Sequence, residues 1–86
     1  MKHAGPEALD RLEPLLVELR GLSALREKSR GAFYLRSKAF LHFHEDPTGL
    51  FADVRLDPDQ DFVRMRVSSG AERALLLKAV EDACGL

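Results

Sequence analysis

A chain of 86 residues is long enough for one domain with a single layer of helices on a sheet, and too short for two domains. Its 31% charged and 45% hydrophobic residues exclude the composition of a disordered chain. The formal net charge of -1 excludes a strong attraction of the whole molecule to nucleic acid or anionic lipid, so such binding would need a local basic patch.

The first predicted element is a helix from Pro6 to Arg20. Proline suits the first helical position, and Gly21 can end the helix. Pro14 lies inside this stretch and removes a helical hydrogen bond, so we expect a kinked helix or two short helices that meet near Leu12. The leucines at steps of three and four form one apolar stripe: Leu9, Leu12, Leu16 and Leu19.

The middle of the chain is predicted to form four strands. The charged stretch from Leu22 to Gly31 is interpreted as a connector that ends in a turn. Alternation of apolar and polar residues then predicts strands at Phe33 to Arg36, Ala39 to Glu45, Leu50 to Leu56 and Phe62 to Val67. Ser37-Lys38 is predicted as a tight reversal, and Asp46-Pro47-Thr48-Gly49 as the turn of a hairpin.

The last predicted element is a helix that begins after Ser69 and ends before Gly85. Ser69 and Glu72 have the spacing of a capping box. The apolar face of this helix consists of Leu76, Leu77, Val80 and Cys84. The order of elements predicts an α+β fold, a two-layer α-β-β-β-β-α sandwich whose four-stranded antiparallel sheet carries both helices on one face.

Strand alternation sorts the side chains of this sheet into two faces. The face toward the helices is apolar and comprises Phe33, Leu35, Ala39, Leu41, Phe43, Ala52, Val54, Leu56, Val63, Met65 and Val67. The opposite face, called the open face below, combines aromatic, basic and histidine side chains: Tyr34, Arg36, Phe40, His42, His44, Phe51, Asp53, Arg55, Phe62, Arg64 and Arg66.

The register of the central hairpin decides where the histidines point. The predicted pairs are Phe40 opposite Arg55, His42 opposite Asp53, and His44 opposite Phe51. A bulge after Gly49 would shift the pairing by one residue and turn both histidines toward the helices.

His42, His44 and Asp53 are the candidate metal or ligand residues. Two histidines two positions apart on a strand point the same way, and Asp53 across the ladder can be a third ligand or orient a ring, which favours Zn²⁺ or Ni²⁺ as the ion. The alternative is that His42 hydrogen-bonds to Asp53 at a subunit contact. Because the sequence shows no nucleophile beside these residues, it does not predict a catalytic site.

The rest of the open face is a candidate interface or ligand surface. Aromatic and arginine side chains are typical of protein interfaces and also of sheets that stack bases. The slightly negative net charge and Asp53 in the middle of the face argue against nucleic acid as its partner. We therefore expect a non-catalytic module that forms a homodimer through this face, with metal binding or nucleic-acid binding as alternatives. With no export signal and no apolar run of about 18 residues, the expected location is cytoplasmic, without a membrane.

Five segments are similar to a known family: Phe-Tyr-Leu-Arg, Leu-His-Phe-His, Ala-Asp-Val-Arg, Phe-Val-Arg-Met-Arg-Val and Ser-Gly-Ala-Glu-Arg-Ala. Over Phe33 to about Ala83 they resemble small bacterial proteins grouped under the label luciferase domain. That family has a Gly-His-x-His segment before an acidic strand, so the resemblance draws attention to His42, His44 and Asp53. Here Phe40-Leu41 replaces the glycine position, and an insertion between the last two strands is missing. The element order also resembles the double-wing family of proposed DNA-binding proteins. Neither resemblance implies a reaction.

Overall fold

The computed structural model describes residues 1–85 and has an α+β fold with two helices and one antiparallel sheet. The helices are α1 (Pro6–Arg20) and α2 (Gly70–Ala83). The strands are β1 (Lys2–His3), β2 (Leu25–Ser29), β3 (Ala32–Leu35), β4 (Lys38–Asp46), β5 (Gly49–Val54) and β6 (Val63–Arg66). The predicted α+β class is confirmed, whereas the predicted number of four strands is wrong because the sheet has six.

The sheet follows the order β2-β3-β4-β5-β6, and β1 pairs with β4. His3 lies opposite His44, and the amide of Ala4 donates to the carbonyl of Phe43 at 3.0 Å. Strands β1 and β3 pair with the same edge of β4, β3 with its first residues and β1 with its last. Strand β5 pairs with the opposite edge. Neither helix within residues 1–85 is long and apolar enough to cross a membrane.

Strand β2 corrects the prediction that residues 22–31 form only a connector. Glu27 occupies an inward position of this strand where the alternation rule expects an apolar residue. Its carboxylate accepts hydrogen bonds from Arg20 Nε at 2.5 Å and from the amide of Gly31 at 2.9 Å. These bonds compensate for the partial burial of the Glu27 charge, so a charged residue can occupy this inward position. The strand therefore lacks the alternation of apolar and polar residues by which a strand is predicted from sequence.

Both helices form as the sequence predicts. Helix α1 is continuous through Pro14, so the alternative of two short helices is wrong. Helix α2 has the predicted capping box, in which the Ser69 hydroxyl accepts from the amide of Glu72 and the Glu72 side chain accepts from the amide of Ser69.

The turn of the β3–β4 hairpin lies one residue earlier than predicted, which shifts the pairing of the first residues of β4. Leu35 pairs with Lys38, so the turn residues are Arg36 and Ser37, with φ values of 52° and 71°. Two positive φ values are typical of a type I′ hairpin turn, whose twist matches that of the strands. Arg36 therefore lies in the turn and not on the open face.

A β-bulge at Phe40 restores the register. Between the pairs Tyr34–Ala39 and Phe33–Leu41, β3 advances by one residue and β4 by two, which makes Phe40 the extra residue. The prediction that Phe40 lies on the open face is wrong, because its side chain is 2% exposed in the core. Ala39, predicted to face the helices, pairs with Tyr34 and is exposed.

One core joins the two helices to one face of the sheet. It contains Ala8, Leu12, Leu15, Leu16, Leu19, Phe33, Phe40, Leu41, Phe43, Leu50, Ala52, Val54, Val67, Leu76 and Val80. Most strand residues predicted to face the helices belong to it or pack against it. Val63 is an exception: it pairs with buried Val54 but is 45% exposed on the edge strand β6.

The bulge predicts unequal effects of two phenylalanine substitutions. Phe40→Ala should lower the free energy of unfolding by about 3 to 5 kcal/mol, because it removes a buried ring from the core. Phe51→Ala, on the half-buried open face, should cost roughly 1 kcal/mol. Urea unfolding followed by circular dichroism measures both, and equal losses would contradict the position of Phe40.

Candidate metal centre

Three histidines from two strands meet on the open face. His42 and His44 lie two residues apart on β4, and His3 lies on β1 directly opposite His44. One ligand nitrogen from each ring can be chosen so that all three lie within 4.8 Å of one another. The predicted β4–β5 register is confirmed, because His42 pairs with Asp53 and His44 with Phe51. Both histidines therefore point away from the helices.

The closest contacts of the cluster converge on one atom, His44 Nε2. It lies 3.2 Å from His42 Nδ1 and 3.2 Å from Asp53 Oδ2. Two nitrogen ligands of a tetrahedral zinc ion, with Zn–N bonds of about 2.0 to 2.1 Å, are about 3.3 Å apart. The His42–His44 separation therefore already equals one edge of such a coordination shell.

Asp53 is held in place by Arg64 from β6. Arg64 Nε donates to Oδ1 at 2.7 Å, and a terminal nitrogen of the same guanidinium donates to Oδ2 at 2.9 Å. This two-point contact fixes the plane of the carboxylate and leaves Oδ2 facing His44. The carboxylate can thus serve as a further ligand or as the group that orients His44.

The surroundings of the cluster favour the neutral form of His42 and His44 and the charged form of Asp53. Burial, and next repulsion from His44, lowers the pKa of His42 below its ordinary value of 6.5. Burial also lowers the pKa of His44 below 6.5, although the Asp53 charge acts in the opposite direction. The hydrogen bond from Arg64 lowers the pKa of Asp53 below 3.8. At neutral pH the contact between His44 and Asp53 therefore joins a neutral ring to a charged carboxylate.

The hydrogen bonds within the cluster do not satisfy every buried atom. His44 is 9% exposed, and its buried Nδ1 has no hydrogen-bond partner within residues 1–85. The His3 ring stacks on His44 with centroids 4.6 Å apart, and the Phe62 ring meets His42 edge-on at 5.1 Å. These rings shield His42 and His44 from solvent and restrict their rotation.

A cavity of about 540 Å³ adjoins the histidines. It lies between the end of β1 and the beginning of β3, which pair with the same edge of β4, and His3, His42, Tyr34 and Phe62 contribute to its wall. An ion held by the histidines could exchange with solvent through this opening.

The other predicted site residues divide into two groups. Tyr34, Phe51 and Phe62 are half-buried and lie under cations of the same chain, with Lys28 4.2 Å, Arg66 5.6 Å and Arg55 4.4 Å from the respective ring centroids. Arg36 and Phe40 line a separate cavity beside the β3–β4 turn, and Arg55 also contributes to that lining.

Sequence reasoning missed His3. A two-residue strand has too few positions for an alternation pattern, and His3 is 39 positions away from His42 along the chain. The only available signal was that the chain contains three histidines in total.

Comparison with known proteins found no match to this chain among family models, curated proteins or solved structures. The likeness to the luciferase-domain and double-wing families therefore stays a prediction from the residues and element order given above.

The lowered histidine pKa values predict how stability depends on pH without metal. Because His42 and His44 titrate below 6.5 in the folded protein, the unfolded chain binds more protons, and the free energy of unfolding should fall as pH drops through about 6.5. Urea unfolding between about pH 7.5 and about pH 5.5 in a chelator-containing buffer measures this slope. A double variant with His42→Gln and His44→Gln should have a shallower slope, and an unchanged slope would contradict the assignment.

Proposed function

We propose that the protein binds a divalent transition-metal ion, zinc in the first place, through His3, His42 and His44. The observation that carries this proposal is the convergence of three ring nitrogens within 4.8 Å on a face turned away from the core. Two of the rings come from one rigid strand and the third from a strand paired to it. This arrangement holds the ligands on regular secondary structure instead of on loops.

The donor set suits zinc. Imidazole nitrogen is a common zinc ligand, and three histidines form the protein part of known zinc sites that keep a fourth position for water. Asp53 is close enough to take that fourth position, since its Oδ2 lies 3.2 Å from His44 Nε2. The lowered pKa values of His42 and His44 favour binding, because protons compete less with the metal near neutral pH.

A purely structural role for the cluster explains less. A neutral His44 ring carries at most one hydrogen on Nε2, so this atom can donate to only one of its two neighbours at 3.2 Å, His42 Nδ1 and Asp53 Oδ2. A protein that used these rings only for packing would gain more from apolar side chains, since buried unpaired polar atoms cost about 1 to 3 kcal/mol.

A zinc titration by isothermal calorimetry on untagged protein tests the proposal. We expect one site per chain, with an affinity that falls by at least about 100-fold in His3→Ala, His42→Ala and His44→Ala, since the loss of a ligand exceeds the about 10- to 100-fold effect of an outer partner. Asp53→Asn should weaken binding about 10- to 100-fold if Asp53 orients His44, and more if it is a ligand.

Two matched controls accompany the titration. Cys84→Ser tests whether the free thiol holds the metal, and Asp59→Asn removes an exposed carboxylate far along the β5–β6 loop. Both should bind zinc like the parent protein. Absence of binding in the parent, or unchanged binding after replacement of all three histidines, would contradict the proposal.

Self-association through the open face stays a prediction from the sequence, and so does nucleic-acid binding. The structure supports them less than metal binding, because each aromatic ring of the face lies under a cation of its own chain. Two arginines of the open face are also engaged within the chain, Arg64 with Asp53 and Arg66 with Glu72 at 3.6 Å.

Light scattering over a concentration series tests self-association. A dimer that becomes monomeric in Phe51→Asp would support it, because that substitution places a charge on the open face outside the core. Phe40→Asp is unsuitable for this purpose, since Phe40 is buried and its replacement would unfold the protein. A monomer at all concentrations would contradict the predicted homodimer.

A further inference from the structure

A second cavity lies at the N-terminal end of β4, beside the β3–β4 turn, and its lining includes none of the three histidines. It has a volume of about 190 Å³ and sits between the β3–β4 turn, the loop after β5 and the last turn of α2. Its apolar wall is formed by Leu35, Phe40, Leu56 and Ala83. The bulge creates this wall, because it turns the Phe40 ring to the helix side of the sheet.

The polar part of the lining is entirely cationic. Arg36, Lys38 and Arg55 contribute to the wall, and within residues 1–85 the lining includes no acidic side chain. None of these three cations forms an ion pair with a described acidic residue. In a chain with a net charge of -1, three such cations around one small cavity form a local site for an anion.

Arg55 is only partly satisfied by its own chain. One terminal nitrogen donates to the carbonyl of Gln60 at 3.0 Å, and its guanidinium lies 4.4 Å from the centre of the Phe62 ring. Its Nε is buried and has no hydrogen-bond partner among the residues that the structure describes. A buried guanidinium N–H without an acceptor is costly, and a carboxylate oxygen is the acceptor that matches it best.

The backbone at Arg36 adds a separate observation. Arg36 has a φ of 52°, in the left-handed region that Asn and Gly adopt more readily in hairpin turns. The turn accepts this less favourable residue at the cavity mouth, where its guanidinium adds positive charge.

We propose that this cavity binds a small organic monocarboxylate with an apolar body about the size of one ring, its carboxylate held by Arg55 and Arg36 and its body resting on Phe40 and Leu56. The size follows from the volume, because a cavity of about 150 Å³ admits benzene and the carboxylate of a ring acid can extend to the cationic rim. Phosphorylated sugars and nucleotides match this cavity less well, because a polar sugar would rest on its apolar wall.

The proposal does not depend on metal binding, since the two sites have no residue in common. A ligand here would contact the β3–β4 turn and the end of α2, whereas a metal would contact β1 and the other half of β4.

A titration of ¹⁵N-labelled, metal-free protein with benzoate tests the site. We expect shifts in the amide signals of Arg36, Ala39 and Arg55, and a dissociation constant of roughly 0.1 to 1 mM, as befits a ligand of about nine heavy atoms. Benzamide, which has the same shape without the charge, and acetate, which has the charge without the ring, should each bind at least about 10-fold more weakly.

Three variants and a matched control assign the binding to the cavity. Arg36→Asn removes the charge and fits the left-handed turn, Arg55→Gln removes the buried donor, and Ala83→Leu fills the cavity without changing charge. Each should weaken benzoate binding at least about 10-fold. Arg26→Gln, an exposed charge on β2, should leave it unchanged. Equal binding of benzamide, shifts confined to other residues, or unchanged binding in Ala83→Leu would overturn the proposal.

Discussion

The pairing of β4 is the constraint on which the rest of this structure depends. This nine-residue strand pairs with β3 and β1 along one edge and with β5 along the other, so its register sets the face of every residue in the centre of the sheet. The Arg36-Ser37 turn displaces that register by one residue, and the bulge at Phe40 returns it. Without the bulge, Leu41 and Phe43 would face solvent and His42 and His44 would face the core.

The histidine cluster shows how a sheet can hold polar groups on one face while its core lies on the other. The core lies entirely on the helix side, so His42 and His44 can be largely buried by neighbouring rings without disturbing it. Arg64 keeps Asp53 ionised and fixed, while burial keeps the imidazoles neutral. Three imidazoles and one carboxylate thus lie close together, and these are the kinds of donor that a transition-metal ion prefers.

The two ends of β4 thus have opposite chemistry. In the C-terminal half of β4, beside β1, neutral imidazoles and a carboxylate have the chemistry to attract a cation. At its N-terminal end, Arg36, Lys38 and Arg55 around Phe40 have the chemistry to attract an anion with an apolar body. The aromatic rings between these ends lie beneath cations of the same chain. The open face therefore carries the histidine cluster and aromatic rings covered by cations of the same chain, whereas the second cavity lies at the edge of the sheet beside buried Phe40.

Local patterns in the sequence determined the α+β class, both helices, the Ser69 capping box and the β4–β5 register, because each depends on residues close together in the chain. They also placed His42, His44 and Asp53 on one face. Only the tertiary structure decided three points. Strand β2 depends on hydrogen bonds from Arg20 and Gly31 to the carboxylate of Glu27. Phe40 is buried because of the bulge in the pairing of β4 with β3. His3 joins the histidine cluster through the two-residue strand β1. The physical reason is that these features arise from hydrogen bonds and packing between distant segments, which leave no periodicity in the sequence.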